Sequence, residues 1–327
     1  MKNNVTMRDV AELSWVSSAT VSRYLNGKNK HLSLKTAEKV KDAIKKLKYT
    51  PDEAARNLVT KKSNLIAVLV ANVNDYFSTE IFKGVSSSLR KKGYTAVMLD
   101  SNNDLKNELE MLLSISTQHI FGGIILQPLN TNLNLLEENL FNNISTVVVD
   151  REIEKGLWSS VVTDNFYVSQ KACKYFKNQG LKNAIVLTNQ IKGISTREQR
   201  FSGIKSIYGK DIQIIKPGNT KFSQDEAYQL LKKMLVKNPN TLIFALKEKW
   251  LLEYLPKLIN ENVLNDNKPT QITGFSDTNF SYIINDKVKL IKQNPFVIGE
   301  SATNLLLDDL KNENKVIPKK VIIPAEF

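Results

Sequence analysis

Beyond residue 62 the chain alternates short apolar runs with amphipathic stretches, and this alternation limits the possible folds more than any other feature of its 327 residues. The runs fall at 65–71, 96–99, 123–126, 146–149, 184–187, 241–245 and 271–275. Each has the length of a strand, and such continuous apolar character suits parallel sheets, whose strands are covered on both faces. Between the runs, apolar residues recur at helical spacing over 80–93, 168–180, 225–236 and 299–312. Strand–helix–strand repetition of this kind gives doubly wound α/β units. The 265 residues involved exceed one compact core of ordinary size.

Several functional classes are excluded at this stage. No run of 18 uninterrupted apolar residues is present to span a membrane, and the N-terminus lacks the apolar core of a secretion signal, so the expected compartment is the cytoplasm. Cys173, the single cysteine, has no disulfide partner and no metal-ligating neighbours at useful spacing, and is expected inside a helix. Neither of the two histidines, His31 and His119, falls in a catalytic constellation. There is no Walker loop, dinucleotide fingerprint or nucleophile elbow. The expectation is a protein that is not an enzyme and needs neither cofactor nor metal.

The N-terminal residues carry a different signal. From Thr6 to Asn26 the chain reads as two short helices joined by a tight turn, a helix-turn-helix. Asp9 and Glu12 lie early in the first helix, which starts after Thr6, and Val10, Ala11 and Leu13 supply its apolar contacts. Ser17 stands at an N-cap position before the second helix. In such motifs the second helix enters the major groove. Val16, Val21 and Leu25 would hold it to the scaffold while Ser18, Ala19 and Arg23 face base edges, Arg23 by a bidentate pair with guanine. A third helix is expected from a Ser33 cap to Leu47, with Val40, Ile44 and Leu47 on one face. Residues 1–62 hold 14 Lys and Arg against 6 Asp and Glu, a net of +8 out of the chain's +13. Lys28, Lys30, Lys35, Lys39, Lys41, Lys45, Lys46 and Lys48 suit phosphate contact, which adds salt-dependent affinity without reading sequence.

Asp9-Val10-Ala11, Val16-Ser17, Thr20-Val21-Ser22-Arg23, Asn26, Lys35-Thr36, Tyr49-Thr50-Pro51 and Ala55-Arg56-Asn57-Leu58 together form a dense pattern. In this pattern the chain resembles the lactose repressor family of bacterial regulators. The resemblance implies a headpiece at 1–50, a hinge helix at 51–62, and a core at 63–327 of two doubly wound lobes like those of periplasmic binding proteins. It places lobe 1 at about 63–163 and 293–320 and lobe 2 at about 164–292 and 321–327, with crossings near Thr163, Lys292 and Lys320. It implies operator contact for Thr6, Ser17, Ser18, Ala19, Thr20, Ser22, Arg23, Asn26, Tyr49, Ala55 and Arg56. Leu58 matches a leucine that wedges between base pairs in the minor groove; the alternative is a linker leucine packed on the core. The implied assembly is a homodimer on a near-palindromic operator, with the effector between the lobes coupled to DNA affinity through a two-state element. One departure is Trp15, which replaces the family's usual glycine at a turn position favouring positive φ; it either loosens the headpiece or packs over the first helix.

For the effector, the resemblance nominates Tyr76 and Phe77 after the first strand, Asp150 and Asp164 at strand ends, and Thr196, Arg200, Phe222, Lys247, Ser276 and Gln293. Arg200 is the arginine expected to grip the ligand, with a rim salt bridge as its alternative; Phe222 is expected to stack on it, with core packing as the alternative. Sugar-binding members commonly show Asn-Asp where this chain has Leu246-Lys247, and Gly-Tyr-Asp-Asp where it has Gly274-Phe275-Ser276-Asp277. Fewer acids and an added Lys247 favour an anion, a sugar acid or sugar phosphate, unless Lys247 points to solvent. Strings such as Val70-Ala71-Asn72, Phe77-Ser78-Thr79 and Ala245-Leu246-Lys247-Glu248-Lys249-Trp250 are similar to the branch regulating 2-keto-3-deoxygluconate use. Rival expectations are a global carbon regulator with a phosphocarrier protein as corepressor, a solute-binding protein, and an enzyme on the same scaffold.

Overall fold

The computed structural model describes residues 5–25, 27, 32–50, 63–129, 144–153, 157–217, 223–265, 269–278, 280–311 and 317–327. The chain divides into two compact units, 1–62 and 63–327.

The first unit is a three-helix headpiece of α1 (Met7–Ser14), α2 (Ser18–Leu25) and α3 (Leu34–Leu47). Thr6 and Asp9 cap α1 reciprocally: the Asp9 N–H donates to Thr6 Oγ1 at 3.3 Å and the Thr6 N–H to Asp9 Oδ2 at 2.7 Å. Ser17 and Ser33 accept from the N–H groups of Thr20 and Thr36, both at 3.2 Å, and so start α2 and α3 as the sequence predicts. Val10, Ala11, Val21, Val40 and Ala43 are buried together, with Val16, Tyr24, Leu25, Ile44, Leu47 and Tyr49 packed around them.

The second unit contains two parallel sheets. The first takes β1 (Leu65–Val70), β2 (Thr95–Asp100), β3 (Gly123–Leu126), β4 (Ser145–Val149), β5 (Ser159–Thr163) and β11 (Lys320–Ile323), in the order β2-β1-β3-β4-β5-β11. The second takes β6 (Asn183–Leu187), β7 (Ile212–Ile215), β8 (Thr241–Ala245), β9 (Gln271–Ser276) and β10 (Ile291–Lys292), in the order β7-β6-β8-β9-β10. Alternate residues of one strand feed opposite layers. Ile66, Val68 and Val70 pack on one side of the first sheet, and Ala67 and Leu69 on the other. Ile185 and Leu187 likewise part from Ala184 and Val186 in the second sheet. Every apolar run read as a strand is one.

Helices α4 (Tyr76–Arg90), α5 (Leu105–Gln118) and α11 (Pro295–Lys311) cover the first sheet, and α6 (Asn165–Asn178), α7 (Ser195–Tyr208), α8 (Gln224–Lys237) and α9 (Glu248–Asn260) the second, with the short α10 (Phe280–Ile284) after β9. Helices α4 and α11 approach so closely that a Cβ on Gly84 would lie 2.0 Å from the Phe296 carbonyl oxygen, and one on Gly299 2.2 Å from that of Ile81. Only glycine allows this backbone contact. Cys173 is buried in α6, where burial pushes its thiol pKa up. No helix among the described residues is long and apolar enough to cross a membrane.

The chain passes from β5 into α6 after Thr163 and from β10 into α11 after Lys292. The third passage corrects the expectation at Lys320. Residues 320–323 pair with Ser160 to Thr163 in the first sheet, and Val321 and Ile323 pack on that lobe's core. Residues 321–323 therefore belong to lobe 1. The return to lobe 2 comes later, where the Lys292 and Glu326 backbones exchange hydrogen bonds of 2.9 Å and Phe327 packs on Tyr175 and Phe176.

Candidate functional site

In the headpiece, Ser17, Ser18, Ala19 and Arg23 are exposed on and just before α2, whereas Val21 is buried beneath them. Thr20 and Ser22 are half-buried, and the Thr20 hydroxyl bonds to that of Ser17 at 3.0 Å. The arrangement presents two hydroxyls, a methyl and a guanidinium on one short helix, groups that fit the donor, acceptor and methyl pattern of the major groove. Lys35, Lys39, Lys41, Lys45, Lys46 and Lys48 are exposed along and after α3. Thr6 is committed to its cap, and Tyr49 is half-buried against the headpiece core. Asn26, Ala55, Arg56 and Leu58 lie outside the described residues. Trp15 ends α1 at φ 56°, ψ 42°, and its N–H bonds to the Ala11 and Glu12 carbonyls. It is 90% exposed and so does not pack over the first helix.

Between the two sheets, polar groups gather beyond the carboxyl ends of the strands, the place where ligands of open α/β sheets bind. Arg200, on α7, is buried, and its guanidinium lies 3.6 Å from the centre of the Phe275 ring. Its Nε–H donates to Asn165 Oδ1 at 2.7 Å, Nη1 to the Leu246 carbonyl at 2.6 Å and Nη2 to Gln293 Oε1 at 2.8 Å. These bonds use three of the five donors of a guanidinium and leave one N–H on each terminal nitrogen. Gln293 Nε2 in turn donates to Asp277 Oδ1 at 2.6 Å. From lobe 1, Gln127 accepts the Ala71 N–H and the Ser78 hydroxyl and donates to Asp150 Oδ2 at 3.0 Å. Lys247 Nζ meets Asp75 Oδ2 across the cleft at 3.1 Å. A second bridge joins the lobes where the Glu152 N–H donates to Ser195 Oγ at 2.9 Å and Gln199 to the Glu152 carboxylate at 2.6 Å.

Charges of both signs share this space. Burial lowers the pKa of Arg200 while Asp150, Asp277 and Asp75 oppose the shift. Burial, with Arg151 and Arg200 nearby, brings Arg197 down to about 10. Burial, then the negative charges of Asp75 and Glu248, lifts Asp277 to about 7. Burial also pushes Asp75 upward, but the Lys247 ammonium and the bonds from Lys247 and Phe77 prevail and hold it below the usual carboxylate value. The cleft thus holds the four cations Arg151, Arg197, Arg200 and Lys247 beside Asp75, Asp150 and Asp277, the last with a pKa near neutrality.

Residues 6–52 match the model of bacterial regulatory proteins of the lacI family, and residues 66–314 match that of a periplasmic binding protein domain. The chain is 30% identical to the ribose operon repressor of Bacillus subtilis over 94% of its length and 92% of the relative's. The chain belongs to the lacI family of bacterial regulatory proteins. It is also 28% identical to the transcriptional regulator KdgR of Bacillus subtilis, covering 99% of this chain and 96% of that one. Among solved structures, a LacI transcriptional regulator from Lactobacillus brevis shares 40% identity over 80% of this chain and 99% of its own, with a TM-score of 0.74. The lac repressor dimer bound to operator and an anti-inducer shares the fold, with a TM-score of 0.82 over 99% of this chain and 97% of that one at 20% identity. The chain is accordingly a DNA-binding transcription regulator and not an enzyme.

Within this lacI-family frame, Arg200, Asp150, Lys247 and Gln293 converge on the cleft. Four other expected residues stand differently. Phe77 is buried in the lobe 1 core with Ile81 and Val85. Tyr76 is half-exposed and lies 5.4 Å, centre to centre, from Phe280 of lobe 2. Asp164 accepts the Ala325 N–H at 2.8 Å and ties the first crossing to the third. Ser276 gives its hydroxyl to Glu248 at 2.9 Å. Thr196 is buried near the start of α7, and Phe222 lies outside the described residues. Asp277, which matches the second Asp of the Gly-Tyr-Asp-Asp string, keeps one carboxylate at the cleft, where it accepts from Gln293. Sequence reasoning did not nominate Asp75, Arg197 or Asp277 for the site, and it matched Arg151 and Asn165 to the family only as the neighbours of Asp150 and Asp164. Arg197 had a usable signal, since it precedes Arg200 by one helical turn.

Proposed function

We propose that this lacI-family protein represses genes of carbohydrate catabolism and is controlled by an anionic sugar derivative, such as 2-keto-3-deoxygluconate, bound between its lobes. The observation that carries this reading is the held Arg200 fork, flanked by Arg197, Arg151 and Lys247, beside a carboxyl group that is half-protonated near pH 7. A carboxylate or phosphate placed there gains charge-assisted bonds that a neutral sugar lacks. Likeness to KdgR agrees with this choice.

Operator binding would use Ser17, Ser18, Ala19 and Arg23 in the major groove, the exposed lysines on phosphates, and Leu58 as a minor-groove wedge between half-sites. Two headpieces require a homodimer, and Tyr76, Phe280, Ile283 and Ile284 offer exposed apolar surface for it. The effector acts by favouring one relative placement of the lobes, which alters the spacing of the headpieces; this requires different affinities for the two states. The site of action is the cytoplasm, on DNA. Calorimetry of the intact protein with 2-keto-3-deoxygluconate, glucose and glucose 6-phosphate tests the ligand class. Binding of an anion with no detectable glucose binding is expected, and preference for glucose would overturn the proposal.

A further inference from the structure

Lys247 occupies an electrostatically awkward place. It stands immediately before α9, where the unpaired N–H groups of a helix start repel a cation. Its own lobe does not relieve this. In the next residue, Glu248, Oε1 accepts from the Ser276 hydroxyl and from the N–H and hydroxyl of Thr278. The carbonyl of the preceding residue, Leu246, is taken by Arg200. Relief comes from the other lobe, where Asp75 caps α4 by accepting the Phe77 N–H through Oδ1 at 3.2 Å and reaches Lys247 through Oδ2 at 3.1 Å. Both side chains remain about one-third exposed, so solutes can reach the pair.

We infer that Asp75 is an internal stand-in for the anionic group of the effector, holding at Lys247 the place which that group takes on binding, so that Lys247 sets the charge preference of the cleft and Asp75 lowers the affinity of every ligand that enters it. The inference rests on the cleft-bound anion proposed above. A neutral sugar that parts Asp75 from Lys247 returns nothing to the ammonium, whereas an anion replaces one carboxylate by another. The charge preference thus lies with Lys247, and Asp75 is a competitor common to all ligands. It taxes every ligand equally, and only ligands with negative charge recover the loss.

The two partners of the pair then differ in sign when removed. Asp75→Asn deletes the competitor and should tighten 2-keto-3-deoxygluconate binding about two- to fivefold, the range for a partly exposed ion pair. Lys247→Gln deletes the receiving charge and should weaken it at least fivefold. Glucose binding by Asp75→Asn should rise by the same factor as that of the anion, so the charge preference is kept in this variant and is lost in Lys247→Gln. Titration calorimetry of the full-length parent and both variants, with circular dichroism to show that each is folded, reads all of this. Opposite shifts for the two variants are expected. Shifts in the same direction would make the pair a plain strut between lobes and overturn the inference while leaving the anion reading intact. A parent that binds glucose but not the keto acid would overturn both.

Discussion

Replacing Arg200 by Met keeps most of the side chain's bulk and deletes the guanidinium. Three acceptors lose their donor: Asn165 Oδ1, the Leu246 carbonyl and Gln293 Oε1. Gln293 is only half-buried and can turn to water, whereas the other two lie at buried positions. A stranded buried acceptor costs about 1–3 kcal/mol, so two cost roughly 2–6 kcal/mol. Release of a buried cation from its own desolvation offsets part of this, and a net loss of about 2–3 kcal/mol is expected. Urea unfolding followed by circular dichroism reads that change directly. Effector binding should suffer separately. Loss of a charge-assisted fork costs about 2–4 kcal/mol, roughly 30- to 1000-fold in Kd, as measured by calorimetry with 2-keto-3-deoxygluconate. Arg200→Lys keeps the charge without the fork and should fall between the two. A folded Arg200→Met protein that binds the keto acid within threefold of the parent would refute the role assigned to this residue.

Gly299→Ala forces a Cβ to within 2.2 Å of the Ile81 carbonyl oxygen, and separating α4 from α11 should cost about 1–3 kcal/mol in thermal or urea unfolding; an unchanged midpoint would contradict the close packing. Asp277 and Glu108 both have pKa values raised to about 7, chiefly by burial, so the folded state holds protons that the unfolded state has released between about pH 4 and pH 7. Their contribution to stability therefore falls as pH rises through that window, and Asp277→Asn should flatten the decline. Affinity for an anionic effector should increase from pH 8 to pH 6 as Asp277 takes up its proton, and the same variant should remove that dependence in calorimetry. Leu58→Ala should reduce operator bending measured by end-to-end energy transfer, and a parent-like bend would remove the wedge.

Buried strands were readable because their composition is forced: β1 reads Leu-Ile-Ala-Val-Leu-Val and is covered on both faces. The edge strands β7 and β11 escape the same reasoning. In β7 two of four residues are exposed, and in β11 exposed and half-buried residues alternate, so neither has the continuous apolar signature. The third crossing was misplaced for that reason. Arg200 was legible from a local motif, but its partners lie 35, 46 and 93 residues away and one is a backbone carbonyl, which no side-chain pattern reveals. Asp75 and Lys247 are 172 residues apart and meet only because two lobes face each other. At Tyr76-Phe77, the start of α4 turns successive side chains to different sides, one to the rim and one to the core, which a paired-aromatic motif cannot resolve. At Ser276-Asp277, β9 ends with Ser276 bonded to Glu248, a partner 28 residues away, and Asp277 bonded to Gln293.

Fluorescence anisotropy on labelled DNA from upstream of the protein's own gene, titrated with 2-keto-3-deoxygluconate beside neutral sugars and sugar phosphates, tests the central claim most directly. Salt-dependent, nanomolar-range binding that shifts with an anionic sugar derivative and not with neutral sugars is the predicted result. Tight DNA binding indifferent to every anion, or shifted by a neutral sugar alone, would contradict it.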